Sequence, residues 1–144
     1  MAADSLAKKD NDPNRFHPER KAFRLRFNRD FQNVYKRARY FTGPDLVLYA
    51  MATDCEQRSR LGLAISKKAA TAVERNRLKR ILREICRLHA SEFPAMGFDF
   101  ILLAREGAIG KRMDDLEHSL RPLLTRFDSW RRNPTGLGTP PQRR

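Results

Sequence analysis

The sequence predicts an α+β fold in a single domain, with helices packed on a sheet in the order α-β-β-α-β-α. Three observations carry this. Apolar residues recur at helical spacing between Leu78 and His89. Short apolar or alternating runs, Leu46–Met51, Arg60–Ser66 and Phe98–Ala104, lie on both sides of that helix and read as strands. The chain has 144 residues, enough for one compact domain and too few for two well-cored ones. Strand, long helix, strand is a βαβ unit, so the two strands that flank the helix are expected to be parallel.

Residues 1–22 are rich in Asp, Asn, Lys and Pro, show no period, and read as a mobile arm. Residues 23–130 form the expected domain, and 131–144 a basic tail whose composition predicts disorder. At the start of the domain Lys21, Arg24 and Arg26 alternate with Phe23, Leu25 and Phe27. Two readings fit that pattern: an extended piece pinned to the core, or a basic tether for a polyanion.

Asn28 reads as an N-cap, with Asp30 in the first turn and Lys36, Arg37 and Arg39 in the last, as the helix dipole favours. Phe31, Val34, Tyr35 and Ala38 follow the i, i+3, i+4, i+7 pattern of a helix about ten residues long. An aromatic pair at i, i+4 is by spacing alone a core feature. Gly43-Pro44 marks a turn before the first strand. In the second strand Leu61, Leu63 and Ile65 form the core face. Gly62, Ala64 and Ser66 form a small-residue face that admits a helix or a nucleic-acid backbone.

The long helix is expected to be capped by Ser66 or a near neighbour. Wound at about 100° per residue, it puts Arg75, Lys79, Arg83, Arg87 and Arg80 on one arc with Asn76 among them. Leu78, Ile81, Leu82, Ile85, Leu88 and His89 take the opposite arc, the apolar stripe of a helix lying on a core. Arg75, Lys79, Arg83 and Arg87 are an i, i+4 row of like charges, which by itself disfavours a helix. Such a row makes sense when it serves an anion, and the planar fork of arginine suits phosphate oxygens. A solvated charged face is the plain alternative.

After the helix, Phe93-Pro94 breaks the chain and Phe98–Ala104 reads as an interior strand. Met113, Leu116, Leu120, Leu123, Leu124 and Phe127 describe a last amphipathic helix, which Pro122 is expected to kink or split.

The formal net charge is +13 and the isoelectric point about 10.7, a balance that points to nucleic acid as partner. Cys55 and Cys86 are far apart, and His17, His89 and His118 are scattered, so no zinc site is expected. Cys86 at the edge of the apolar stripe reads as a buried thiol of a reducing compartment. Residues 1–20 hold no signal-peptide core and no run approaches a membrane span, so a cytoplasmic location is expected. Asp114 and Asp115 are adjacent and splay apart on a helix, unlike a two-metal carboxylate site. Glu74 and Glu84 lie among arginines and read as ion-paired. No phosphate loop, HExxH or nucleophile elbow is present. The chain reads as a binder.

Arg75-Asn76-Arg77-Leu78-Lys79-Arg80-Ile81-Leu82-Arg83-Glu84, preceded by Leu61-Gly62-Leu63-Ala64-Ile65-Ser66-Lys67-Lys68, resembles the signature of the bacterial ribonuclease P protein subunit. The resemblance spans roughly residues 24–126, with Ala70 where the family pattern has glycine. It implies a left-handed βαβ crossover, against the usual right-handed rule, in a fold related to a domain of certain ribosomal proteins. It also implies a ribonucleoprotein endonuclease whose RNA, with Mg²⁺ bound mainly through that RNA, removes the 5′ leader of precursor tRNA. Lys67, Lys68, Arg75, Asn76, Arg77, Lys79, Arg80, Arg83 and Arg87 would hold the catalytic RNA. Phe31, Tyr35 and Lys36 would line a cleft for the leader, and the protein would be monomeric in the holoenzyme. The alternative function is a ribosome-associated or RNA-chaperone module with no part in cleavage. A ribonuclease acting unassisted would need a carboxylate or histidine constellation that the sequence does not display.

Overall fold

A computed structural model describes residues 15–66 and 71–132. Its centre is β4, Phe98–Ala104, whose near-continuous apolar text suits a strand flanked on both sides. β4 pairs antiparallel with β2, Leu46–Ala52, placing Leu48 opposite Leu102, and parallel with β3, Arg60–Ile65, placing Leu63 opposite Leu102. The fourth strand, β1, Arg39–Thr42, adds antiparallel to β2 and makes the order β1-β2-β4-β3. The expected order α-β-β-α-β-α therefore gains a strand. Arg39, assigned by sequence to a helix end, belongs to this strand, which has four residues and one neighbour and so carries little periodic signal.

Alternation along each strand divides the core in two. Leu46, Leu48, Ala50, Leu61, Ile65, Phe100 and Leu102 face α2, Ala72–Leu88, and α3, Met113–Arg132. Val47, Tyr49 and Ile101 face the other way, onto Leu25 and onto Val34 and Ala38 at α1, Asn28–Arg37. The parallel neighbours β3 and β4 are joined through α2, as a βαβ unit requires.

Several boundaries differ from expectation. Phe27, not Asn28, holds the N-cap position of α1, without a side-chain cap. Pro122 does not split α3, which is continuous over 20 residues. Pro122 is exposed, while Leu120, Leu123 and Leu124 around it are buried and hold both halves on the sheet. Arg131 and Arg132, assigned to the tail, close this helix.

Residues 16–18, expected to belong to the arm, are buried. Phe16 is buried and stacks on Phe93 with ring centroids 5.0 Å apart, and His17 and Pro18 are buried beside it. Residues 1–14 and 133–144 lie outside the described residues. Among the described residues no helix is long and apolar enough to cross a membrane.

Candidate nucleic-acid interface

The long helix begins later than Ser66. Thr71 is its N-cap: Oγ1 accepts from the Glu74 N–H at 3.1 Å, and Glu74 Oε1 accepts from the Thr71 N–H at 3.0 Å. This capping box satisfies two backbone donors that a helix start leaves over. Glu74 is thus a cap rather than an arginine partner. Ser66 continues the sheet, its N–H donating to the Ala104 carbonyl at 2.9 Å. Lys67, Lys68 and Ala70 lie outside the described residues.

α2 docks through Leu78, Leu82, Ile85 and Cys86, all fully buried. Burial pushes the Cys86 thiol up to about 12. Leu88, placed by spacing on the apolar side, is 48% exposed, although Ile85 and Cys86 in the same turn are fully buried. His89 follows it and is held by carboxylates, Nδ1 at 2.6 Å from Glu92 and Nε2 at 2.8 Å from Glu117 on α3.

The cations opposite this stripe do not behave alike. Asn76 and Arg80 are exposed. Arg77 turns aside, donating from Nη2 to the Lys111 carbonyl at 3.1 Å, and so braces the approach to α3. Arg87 grips Glu84 through two bonds, at 2.7 and 3.1 Å, which hold the Glu84 carboxyl below the usual carboxylate range despite its partial burial. Glu84 is therefore ion-paired as expected, and Arg87 is partly committed. Among the described residues no hydrogen bond and no carboxylate engages the side chains of Lys79, Arg80 or Arg83.

Lys79 and Arg83 line a cleft of about 340 Å³ with Arg24, Leu25, Arg26, Phe31, Leu61 and Leu63. Burial, and then the nearby Arg24, push the Arg83 pKa down. Neither effect deprotonates a guanidinium at neutral pH, so the cleft stays cationic.

Phe31 forms part of this cleft because Gly62 has no side chain. A Cβ there would stand 2.5 Å from Phe31 Cζ, so the small face of β3 admits a helix, α1. Asp99 and Arg60 secure that helix. Asp99, 2% exposed, takes two bonds from Arg60, at 3.1 and 2.7 Å. Arg60 Nη1 reaches Asp30 on α1 at 3.5 Å.

Tyr35 lies further along the same helix, half-buried, its ring edge-on to Tyr49 with centroids 5.0 Å apart. Tyr40 lies 5.7 Å from Tyr49, giving an aromatic strip on this face of the sheet. Phe31 lines the α2 cleft whereas Tyr35 packs toward the strip. Lys36 is exposed on another side of α1, beside Arg29, Gln32 and Asn33. The structure does not gather Phe31, Tyr35 and Lys36 into one cavity.

The residues that sequence reading did not place in the site are Arg24 and Arg26. The pairing of their segment with β3, Leu25 N–H to Leu61 carbonyl at 3.0 Å, carries them to the cleft. Among the described residues no group of three or more His, Cys, Asp or Glu side chains converges to hold a metal ion. The described chain thus offers no carboxylate cage for Mg²⁺.

The family model for Ribonuclease P matches residues 20–128. The ribonuclease P protein component of Exiguobacterium sibiricum is 34% identical over 113 residues, covering 78% of this chain and 97% of that protein. That of Clostridium botulinum (strain Loch Maree) is 36% identical over 101 residues, covering 70% and 90%. Among solved structures, the RNase P protein of Staphylococcus aureus superposes with a TM-score of 0.65 at 33% identity over 73% of this chain and 94% of that one. The Thermotoga maritima protein gives 0.63 at 30% identity, covering 72% and 96%. With a cationic helix face, a βαβ core and relatives matched over nearly their whole length, the chain belongs to the ribonuclease P protein family.

Proposed function

We propose that this protein binds the catalytic RNA of ribonuclease P and the 5′ leader of precursor tRNA, assisting Mg²⁺-dependent removal of the leader to give the mature tRNA 5′ end. Family membership implies a ribonucleoprotein endoribonuclease and partnership with ribonuclease P RNA. The observation that carries the finer reading is the set of cations on α2, Lys79, Arg80 and Arg83, that have no carboxylate partner among the described residues.

In this reading Arg75, Asn76, Arg80 and their neighbours on α2, with Lys67 and Lys68 ahead of it, hold phosphates of the catalytic RNA. Arg77 and Arg87 contribute less, because each has a partner within the fold. Phe31 and Tyr35 offer ring surface to unpaired leader bases, which stack without demanding a sequence. Lys36 contributes charge from the outer side of α1. Mg²⁺ enters through the RNA and neutralises its phosphates. The protein's cations do part of the same work, which lowers the Mg²⁺ requirement. The protein acts as a monomer in the cytoplasm.

The test combines purified protein, its cognate catalytic RNA and precursor tRNA at low Mg²⁺. Cleavage that needs the RNA and rises on adding protein supports the proposal. Cleavage by the protein alone identifies an unassisted ribonuclease, and RNA binding with no effect on cleavage identifies a chaperone-like module.

A further inference from the structure

Arg83 belongs to two concavities. One is the cleft beside α1. The other, about 410 Å³, is lined by Glu19 from the segment ahead of α1, by Arg80, Ile81, Arg83 and Glu84 on α2, and by Met113 at the start of α3. Ile81 and Met113 pack by one side against the core and are only half-buried, so the rest of their surface gives this groove an apolar floor. Two guanidiniums and two carboxylates share the lining with them.

A surface made for phosphates alone has no use for such a floor, and carboxylate oxygens repel phosphate oxygens. Glu84 is spent on Arg87, through bonds of 2.7 and 3.1 Å. Glu19 is held more loosely: its Oε2 lies 3.5 Å from His17 Nδ1 and 3.9 Å from Arg20 Nε, and its side chain is 39% exposed. An ionised carboxylate only accepts, so the group that completes this wall must donate.

We propose that the groove takes an unpaired base of the catalytic RNA, guanine above the other three. The ring lies on Ile81 and Met113, its donor edge meets the Glu19 carboxylate, and its flanking phosphates meet Arg80 and Arg83. This rests on the function proposed above and deepens it, since α2 then reads a base as well as gripping phosphates.

The volume lies at the low end for small-ligand pockets, about 300–1,000 Å³, which gives room for one base and none for a duplex. A base within a duplex is stacked and its pairing edge is occupied, whereas an unpaired base can be splayed onto apolar side chains and guanidinium planes. The Met113 thioether adds a favourable contact with an aromatic ring. Guanine carries N1–H and N2–H₂ side by side, matching the two oxygens of a carboxylate. Adenine and cytosine offer one amino group each, and uracil offers one N–H between two carbonyls that a carboxylate repels.

The experiment uses the full chain with its catalytic RNA and reads affinity, its salt dependence, and the reactivity of guanines toward kethoxal, which attacks N1 and N2 when they are unpaired. One guanine should be protected by the unaltered protein and become reactive again with Ile81→Ala, Met113→Ala or Glu19→Gln. Ile81→Ala should weaken binding about tenfold with the salt slope unchanged, because an apolar contact releases no counterion. Met113→Ala, at a helix start, repeats the measurement where Ile81→Ala disturbs the docking of α2. Glu19→Gln separates the readings by sign: it should weaken binding about threefold if the carboxylate accepts from a base, and tighten it if the carboxylate merely stands near phosphates. Tighter binding by Glu19→Gln, or a guanine pattern that none of the three variants alters, overturns the assignment. A shift of the protein's own association state with Ile81→Ala, without any change in guanine reactivity, gives the groove to a second copy of the chain and overturns it too. If the unaltered protein fails to bind the catalytic RNA at all, the parent reading falls, and this inference with it.

Discussion

Gly62→Ala is a sharp probe of how the sheet and α1 together shape the cleft. An added Cβ would meet Phe31 Cζ at 2.5 Å, Phe31 Cε2 at 2.9 Å and Leu25 Cβ at 3.2 Å. Carbon atoms prefer about 3.5–4.0 Å, so the ring must retreat by about 1 Å. α1 cannot simply lift, because Arg60 ties Asp30 to the buried Asp99. The ring therefore turns away, and overpacking of this kind costs about 1–3 kcal/mol of stability. If Phe31 stacks on a leader base as proposed, displacing the ring also forfeits about 1–3 kcal/mol, or about 5- to 150-fold in affinity. Urea denaturation reads the first effect, and the binding of precursor against mature tRNA reads the second. Adding Phe31→Leu to Gly62→Ala should restore much of the stability and none of the leader preference. Wild-type stability together with unaltered precursor binding in Gly62→Ala would refute both the packing and the role given to Phe31.

Other consequences follow from individual contacts. Burial opposes the charged form of His89, but the hydrogen bonds to Glu92 and Glu117 outweigh it and raise the pKa above 6.5. A raised histidine pKa gives stability that is full below the unfolded value and lost as pH rises through the folded one. The bond to His89 lowers the Glu117 pKa, burial opposing, so that contribution fades as pH falls through the folded carboxylate value. The clasp between α2 and α3 is thus strongest in mildly acidic solution. Thermal melts should show a decline of stability from about pH 6 to 8 that His89→Gln abolishes; an unchanged decline in the variant would exclude the clasp as its source. The Cys86 thiol, buried and pushed up to about 12, should resist alkylation in the native protein while exposed Cys55 reacts. Two reactive thiols without denaturant would contradict the docking of α2. Glu84→Gln removes a negative charge and its two-bond grip on Arg87, and should tighten binding to the catalytic RNA about two- to fivefold at low salt; weaker binding would show that Glu84 itself supports the interface.

What was legible in the sequence was mostly periodic. The stripe Leu78, Leu82, Ile85 and Cys86 and the apolar run of β4 announce their burial through spacing and composition, and the structure buries both. The start of α2 is encoded as well, in Thr71-Ala-Val-Glu74, which has the spacing of a capping box and lies downstream of Ser66, the expected cap. Phe16 was hidden by its polar neighbours, since one aromatic residue carries no period, yet its ring reaches Phe23, Phe93 and Phe100.

The allegiance of each cation was not legible. A helical wheel treats Arg83 and Arg87 alike, but Glu84 engages one and the cleft takes the other. Arg77 is drawn off by the Lys111 carbonyl, 34 positions away in the chain. The cleft likewise depends on an isolated bridge between Arg24 and Leu61, which no local pattern encodes.

The most direct test of the central claim, that the outer face of α2 is an open phosphate-binding surface, is the salt dependence of binding to the catalytic RNA. The logarithm of affinity should fall steeply and linearly with the logarithm of salt concentration, and Arg80→Ala should reduce the slope by about 0.7–0.9, the release of one counterion. A slope near zero in the unaltered protein, or one that Arg80→Ala leaves unchanged, would contradict it.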